Sequence, residues 1–179
     1  MRKALWDRPG IERLERTLGR LLTQKADVLE FVVLFGSMAR GDWSRDSDYD
    51  LLVGLRVDDG QRLIDRMGEF AGIAEGPIEV FPYARSEWQR MFEDRHLLVL
   101  EALEHGVILW DRGGFAQMRA RFRELRERGQ LVPWRSGWKI LSLPEAKPAP
   151  ASASAGPGGS SGRHQAWRAP SPARGTAAE

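Results

Sequence analysis

The chain has 179 residues, 42% of them hydrophobic, no cysteine, and a formal charge of +2 with a pI near 9.3. That length supports one domain with a real core, and the missing cysteines exclude both a disulfide framework and a thiolate metal site. The pI does not make a nucleic-acid binder: setting aside the four Lys/Arg and two Asp/Glu of 144–179 leaves 23 of each sign in 1–143, so the bulk of the chain is neutral and nucleic-acid binding is not supported. The opening MRKALWDRPG carries no apolar signal segment, and no apolar run is long enough to span a bilayer. The expected location is therefore the cytoplasm, with no membrane partner.

In chain order, Ile11, Leu14, Leu18, Leu21 and Leu22 repeat at helical spacing. Val28 to Phe35 (VLEFVVLF) is a short apolar, β-branched and aromatic run closed by Gly36, which describes a buried central strand. Met38 to Arg40 begins a short helix. Asp48 to Leu55 (DYDLLVGL) reads as a second strand with polar residues at its head. Leu63, Ile64, Met67 and Phe70 suggest a helix, Gly76-Pro77 punctuates, and Ile78 to Tyr83 is a third strand. Ser86 and Gln89 have capping-box spacing and open a helical run ending at Gly106. Val107 to Trp110 makes a fourth short strand. Phe115, Met118, Phe122 and Leu125 mark a last helix.

Composition changes at Pro144: 26 of the last 36 residues are Pro, Gly, Ala or Ser. Such a segment cannot bury enough apolar surface to offset its ordering entropy. The expected division is a folded domain over 1–143 and a disordered tail over 144–179. Trp134 and Trp138, near Pro133, read equally as a docking patch or as packing of the chain end. Arg119, Arg121, Arg123, Arg126 and Arg128 interleave with Glu124 and Glu127, which favours a solvated helix face. His96, His105 and His164 lack metal-motif spacing and read as structural or surface residues.

The chemistry concentrates in FGSMARGDWSRDSDYDLLV, Phe35 to Val53. Residues i and i+2 of a strand share a face, so Asp48 and Asp50 project together while Tyr49 faces away. Two close carboxylates repel and call for a cation or a proton, and oxygen ligands of this kind suit Mg²⁺. Gly36 lets backbone approach a ligand closely, and the N–H groups and hydroxyl around Ser37 favour an anion. Arg40 adds a cation for the same phosphates. Glu79, an acid between Ile78 and Val80, is the candidate third carboxylate if its strand lies beside the second. It would share the metal and help deprotonate an attacking hydroxyl.

Gly36-Ser37, ten intervening residues, then Asp48-x-Asp50 resembles the G-S-x10-D-x-D pattern of the DNA polymerase β-like nucleotidyltransferase superfamily. Arg40-Gly41 and Ser47 also match its common form. Within it, the chain is similar to the minimal nucleotidyltransferases of prokaryotes, often paired with HEPN-domain proteins. Ala102 to Trp110 is similar to a helix-Gly-strand segment of that family, and the resemblance runs from about Ile11 to Arg128. It implies an α/β (α+β) nucleotidyltransferase fold, a small mixed sheet flanked by helices. It implies transfer of a nucleoside monophosphate from a nucleoside triphosphate, AMP from ATP, with two Mg²⁺ ions. Carried over, Asp48, Asp50 and Glu79 are catalytic and metal-binding, and Gly36, Ser37, Arg40 and Ser47 bind nucleotide. One departure is that the third acid of the family is usually aspartate.

Only about fifteen residues lie between Arg128 and the tail, too few for a separate acceptor domain, so the acceptor is expected on a partner or through self-association. The family resemblance implies a protein acceptor, with the chain as antitoxin of a HEPN toxin pair. The alternatives are a small-molecule (antibiotic) adenylyltransferase and a non-catalytic nucleotide- or protein-binding module. A P-loop is not among them, since G-x-x-x-x-G-K-[ST] does not occur.

Overall fold

The computed structural model describes residues 8–44, 46–134 and 137–141. The Pro/Ala/Gly/Ser-rich tail over 144–179, with His164, lies outside the described residues. The elements run α1 (Ile11–Gln24), β1 (Leu29–Phe35), α2 (Gly36–Arg40), β2 (Tyr49–Leu55), α3 (Leu63–Ala71), β3 (Ile78–Tyr83), α4 (Arg85–Glu93), α5 (Leu97–His105), β4 (Val107–Asp111), α6 (Gly114–Glu127), β5 (Leu131–Trp134) and β6 (Gly137–Ile140).

Four strands form one mixed sheet in the order β3-β2-β1-β4. β1 is antiparallel to β2 and β4, whereas β2 and β3 are parallel, as the helical crossover α3 between them requires. Both faces are covered. Val32, Leu34, Tyr49, Leu51, Val53 and Val80 pack with Leu14 and Leu21 of α1 and Phe70 of α3. Phe31, Val33, Phe35 and Leu52 pack on the other face with α4, α5 and α6 through Trp88, Phe92, Leu100, Phe115 and Phe122. The nearly continuous apolar runs of β1 and β2 are thus those of central strands buried on two sides. Gly54 is part of this packing, since a Cβ there would overlap the Phe31 ring. Among the described residues no helix is long and apolar enough to cross a membrane.

Four expectations change. The run from Ser86 to Gly106 is two helices, not one. Arg95 adopts a left-handed backbone (φ 57°), and Arg95 N–H and His96 N–H turn back to the carbonyls of Phe92 and Met91, which closes α4 before α5 begins. The Ser86/Gln89 capping box does not form. Ala84 is the cap position, and its N–H donates to Glu87 Oε2 at 2.7 Å, while Ser86 N–H donates to Asp58 Oδ1 at 2.8 Å. β2 starts at Tyr49, so Asp48 stands just before the strand. Finally, β5 and β6 form an antiparallel hairpin after the helix that was expected to be last. Its strands are only four residues each and β5 contains Pro133, so they carry too little alternation to stand out from a loop.

The hairpin divides the two tryptophans. Trp138 packs edge-on against Phe122, centroids 5.2 Å apart, and beneath the Arg126 guanidinium. Trp134 is exposed, with the Lys139 ammonium over its ring. The arginines of α6 divide likewise. Arg119 turns inward to the carbonyls of Ala102 and Gly106, and Arg126 pairs with Glu104, while Arg121, Arg123 and Arg128 face solvent.

Candidate active site

The sheet register brings three chain segments to one point. Phe35 at the end of β1 is paired with Asp50 of β2, and Asp50 is paired with Glu79 of β3. Asp50, Leu52 and Glu79, Phe81 alternate onto the face covered by α4, α5 and α6, while Tyr49, Leu51, Ile78 and Val80 fill the other. Tyr49 is 2% exposed and its hydroxyl donates to the Pro9 carbonyl. That anchor sets the strand's facing, which the Asp-x-Asp spacing needs.

Asp50 is half-buried, and Asp48 and Glu79 are exposed beside it. Burial first, and then the charges of Glu79 and Asp48, push the Asp50 carboxyl up to about 6, against the pull of Arg40. Three acids, Asp48 just before β2, Asp50 on β2 and Glu79 on the adjacent β3, therefore repel one another, and the residues fit a divalent cation as the group that relieves the repulsion. Among the described residues, no three His, Asp or Glu side chains are drawn into a ready-made metal cage.

Gly36 sits directly against Asp50. Its φ is 70°, and a Cβ there would run into Asp50 Oδ2. Both constraints demand glycine, and both come from the turn into α2. No side chain caps α2, and Gly41 (φ 83°) ends it with its N–H on the Ser37 carbonyl. Ser37 is half-buried in the first turn. Gly36→Ala is expected to cost about 1–3 kcal/mol, from strain at positive φ and displacement of the Asp50 carboxylate. Chemical denaturation measures it, and an unchanged midpoint would mean that the crowding is relieved without cost.

Arg40 and Ser47 have partners that the spacing did not indicate. Arg40 Nη1 donates to Glu101 Oε1 at 2.6 Å, and its Nε to Asp42 Oδ2 at 3.1 Å. Burial lowers its pKa, but these two carboxylates outweigh burial and the net shift is upward. Ser47 Oγ accepts the Ser44 N–H at 2.9 Å and lies 3.2 Å from Ser44 Oγ, so it staples the loop ahead of Asp48. Ser47 also lines a hollow of about 210 Å³ with Arg13, Tyr49 and Pro77. Of these partners, Asp42 is local to Arg40. Glu101 lies 61 positions away, and no sequence pattern announces it.

The class follows from comparison with known proteins. Residues 13–101 match the family described as nucleotidyltransferase domain. That range takes in Gly36, Ser37, Arg40, Ser47, Asp48, Asp50 and Glu79, together with Glu101. The chain therefore carries a nucleotidyltransferase domain, and its mixed four-stranded sheet with flanking helices is the fold expected of one. No curated protein is matched by the sequence.

Among solved structures, the chain is similar to a toxin–antitoxin crystallised with AMP-PNP, at 18% identity over 65% of this chain and 89% of that one, TM-score 0.45. It is similar to a Sulfolobus solfataricus protein described as a nucleotidyltransferase, at 24% identity over 58% and 88%, TM-score 0.40. A mutant of the toxin–antitoxin MntA–HpeT is similar at 17% identity over 65% and 88%, TM-score 0.42.

Proposed function

We propose that the chain transfers AMP from ATP to a side-chain hydroxyl of a partner protein, as the antitoxin of a HEPN toxin pair. The observation that carries the transferase reading is the register that sets Asp50 between the Gly36 turn and Glu79, within the matched domain. The protein acceptor rests on the motif resemblance: Gly36-Ser37, Arg40-Gly41, Ser47 and Asp48-x-Asp50 read together. The cytoplasm, which supplies ATP and imposes no oxidising demand on a cysteine-free chain, is the compartment this reading requires.

Asp48, Asp50 and Glu79 would hold two Mg²⁺, which supply charge stabilisation to the attacking and leaving oxygens of an in-line displacement. The turn at Gly36 and Ser37 orients the triphosphate through backbone N–H groups and the Ser37 hydroxyl. Arg40 balances negative charge on the transferring phosphates. Glu79, exposed beside Asp50, would take the proton of the attacking hydroxyl. The acceptor oxygen bonds to the α-phosphorus, and the bond to pyrophosphate breaks.

The test is incubation with Mg²⁺, labelled ATP and the product of the adjacent gene, with a panel of aminoglycosides in parallel. A mass increase of one or more AMP units on the protein partner is expected. Label on a drug with none on protein would replace this reading by the antibiotic one. ATP bound with no label on either would leave a non-catalytic module.

A further inference from the structure

Arg40 is held by two acids of different character. Glu101 comes from α5, which packs against α2, and its side chain is 28% exposed; Asp42 comes from the loop that follows α2, and its side chain is 60% exposed. The Glu101 contact is the shorter, 2.6 Å against 3.1 Å, and the two acids take different nitrogens, Nη1 and Nε. A part-buried, charge-assisted bond is worth more than an exposed one, which water and salt weaken. The positive charge of Arg40 is also felt at Asp50, across the turn that begins with Gly36.

We propose that Glu101 is a positioning residue which holds Arg40 beside the triphosphate site, and that Asp42 is a stand-in anion which the triphosphate displaces from Arg40 Nε. The inference rests on the nucleotidyltransferase reading of the site and adds an assignment within it. A guanidinium presents a rigid fork of five N–H donors, so one edge can stay fixed while another changes partner. Glu101 holds the edge that stays. Asp42, on an exposed loop, gives up the edge that is needed. Without nucleotide, Asp42 offsets a cation that would otherwise stand exposed at the mouth of the site. With nucleotide, the phosphate oxygens take its place and the Asp42 carboxylate passes to water.

The two acids should therefore act on nucleotide affinity with opposite sign. Glu101→Gln frees the anchored edge and is expected to weaken binding of a non-hydrolysable ATP analogue with Mg²⁺ by about fivefold or more. Asp42→Asn removes the competitor and is expected to tighten binding by about two- to fivefold, the range of an exposed ion pair. Calorimetry on the full chain reads both, with melting temperatures to show that each variant is folded. A structural ion-pair network alone would make both substitutions weaken binding or leave it unchanged, and either result overturns the proposal. If Glu101→Gln does not fold, the sign of the Asp42→Asn effect still decides. Failure of the transferase reading is separate. Wild-type protein that binds the analogue but moves no AMP removes only that reading, whereas wild-type protein that binds no nucleotide removes both.

Discussion

Asp50→Asn is expected to remove nearly all transfer activity, by about 10³-fold or more, and at the same time to make the protein more stable above pH 6. The loss follows from the place of Asp50 at the centre of the register, with Gly36 on one side and Glu79 on the other. The gain follows from its charge. Burial, then Glu79 and Asp48, raise the carboxyl to about 6 in the folded protein, well above the usual carboxylate range. The folded state therefore binds that proton more tightly than the unfolded chain does. The resulting stabilisation is complete below about pH 4, and it is lost as pH rises through about 6. Asparagine has no charge to develop, so the difference in stability, variant minus wild type, should grow between pH 4 and 7. Solvent screening of a half-buried group reduces this to about 1–2 kcal/mol, a few degrees in melting temperature. Melts in excess chelator, without nucleotide, at both ends of that range provide the check. A difference independent of pH would show that Asp50 does not carry the repulsion. Full activity in the variant would remove it from the reaction.

Arg66→Ala is the substitution expected to cost the fold most, about 3–5 kcal/mol. Arg66 lies on α3 and is 1% exposed, although it is a charged residue. Its Nε and Nη2 form a fork with Asp59, at 3.0 and 3.1 Å. Nη1 donates to Glu87 Oε2 at 2.7 Å and to the Pro82 carbonyl at 2.8 Å, and Nη2 also reaches the Gln61 carbonyl at 2.9 Å. Burial lowers its pKa, but Glu87 and Asp59 outweigh burial and the net shift is upward. One side chain thus ties α3 to the loop before it, to the end of β3 and to the start of α4. Glu87 at the same time accepts the Ala84 N–H that opens α4. Truncation leaves two carboxylates and two carbonyls short of a donor around a cavity. Arg66→Lys should recover only part of the loss, because an ammonium cannot reproduce the fork. Denaturant midpoints measure both, and an alanine variant within 1 kcal/mol of wild type, by the same scale, would show that water takes over these bonds.

Much of this chain follows from local rules. The 3.6-residue spacing of Leu14, Leu18 and Leu21 suffices for α1, and the apolar runs after Val28 and Asp48 suffice for the two central strands. Those patterns survive because a strand buried on both faces, or a helix with one apolar stripe, is selected by its own side chains. The Gly-Ser turn and the Asp-x-Asp pair are legible for the same reason, since backbone approach at Gly36 and alternation around Tyr49 act over two or three residues. The break at Arg95 was not legible, because arginine gives no local signal for a left-handed backbone.

Local pattern reaches the elements from α1 to β3, together with β4 and α6, and the chemistry-bearing pairs that lie close along the chain. Tertiary structure alone decided which distant residues join them. That Glu79 faces Asp50 depends on the parallel pairing of β2 with β3, a register set by the length of the α3 crossover and by the packing of Phe70, Ile78 and Val80. That Arg40 answers to Glu101 depends on α5 docking against α2, and the burial of Arg66 depends on Asp59 and Glu87 arriving from opposite sides. Spacing rules cannot reach these contacts. A charged side chain reads as solvent-facing until a partner is brought to it, and the free energy that brings the partner comes from apolar burial elsewhere in the core.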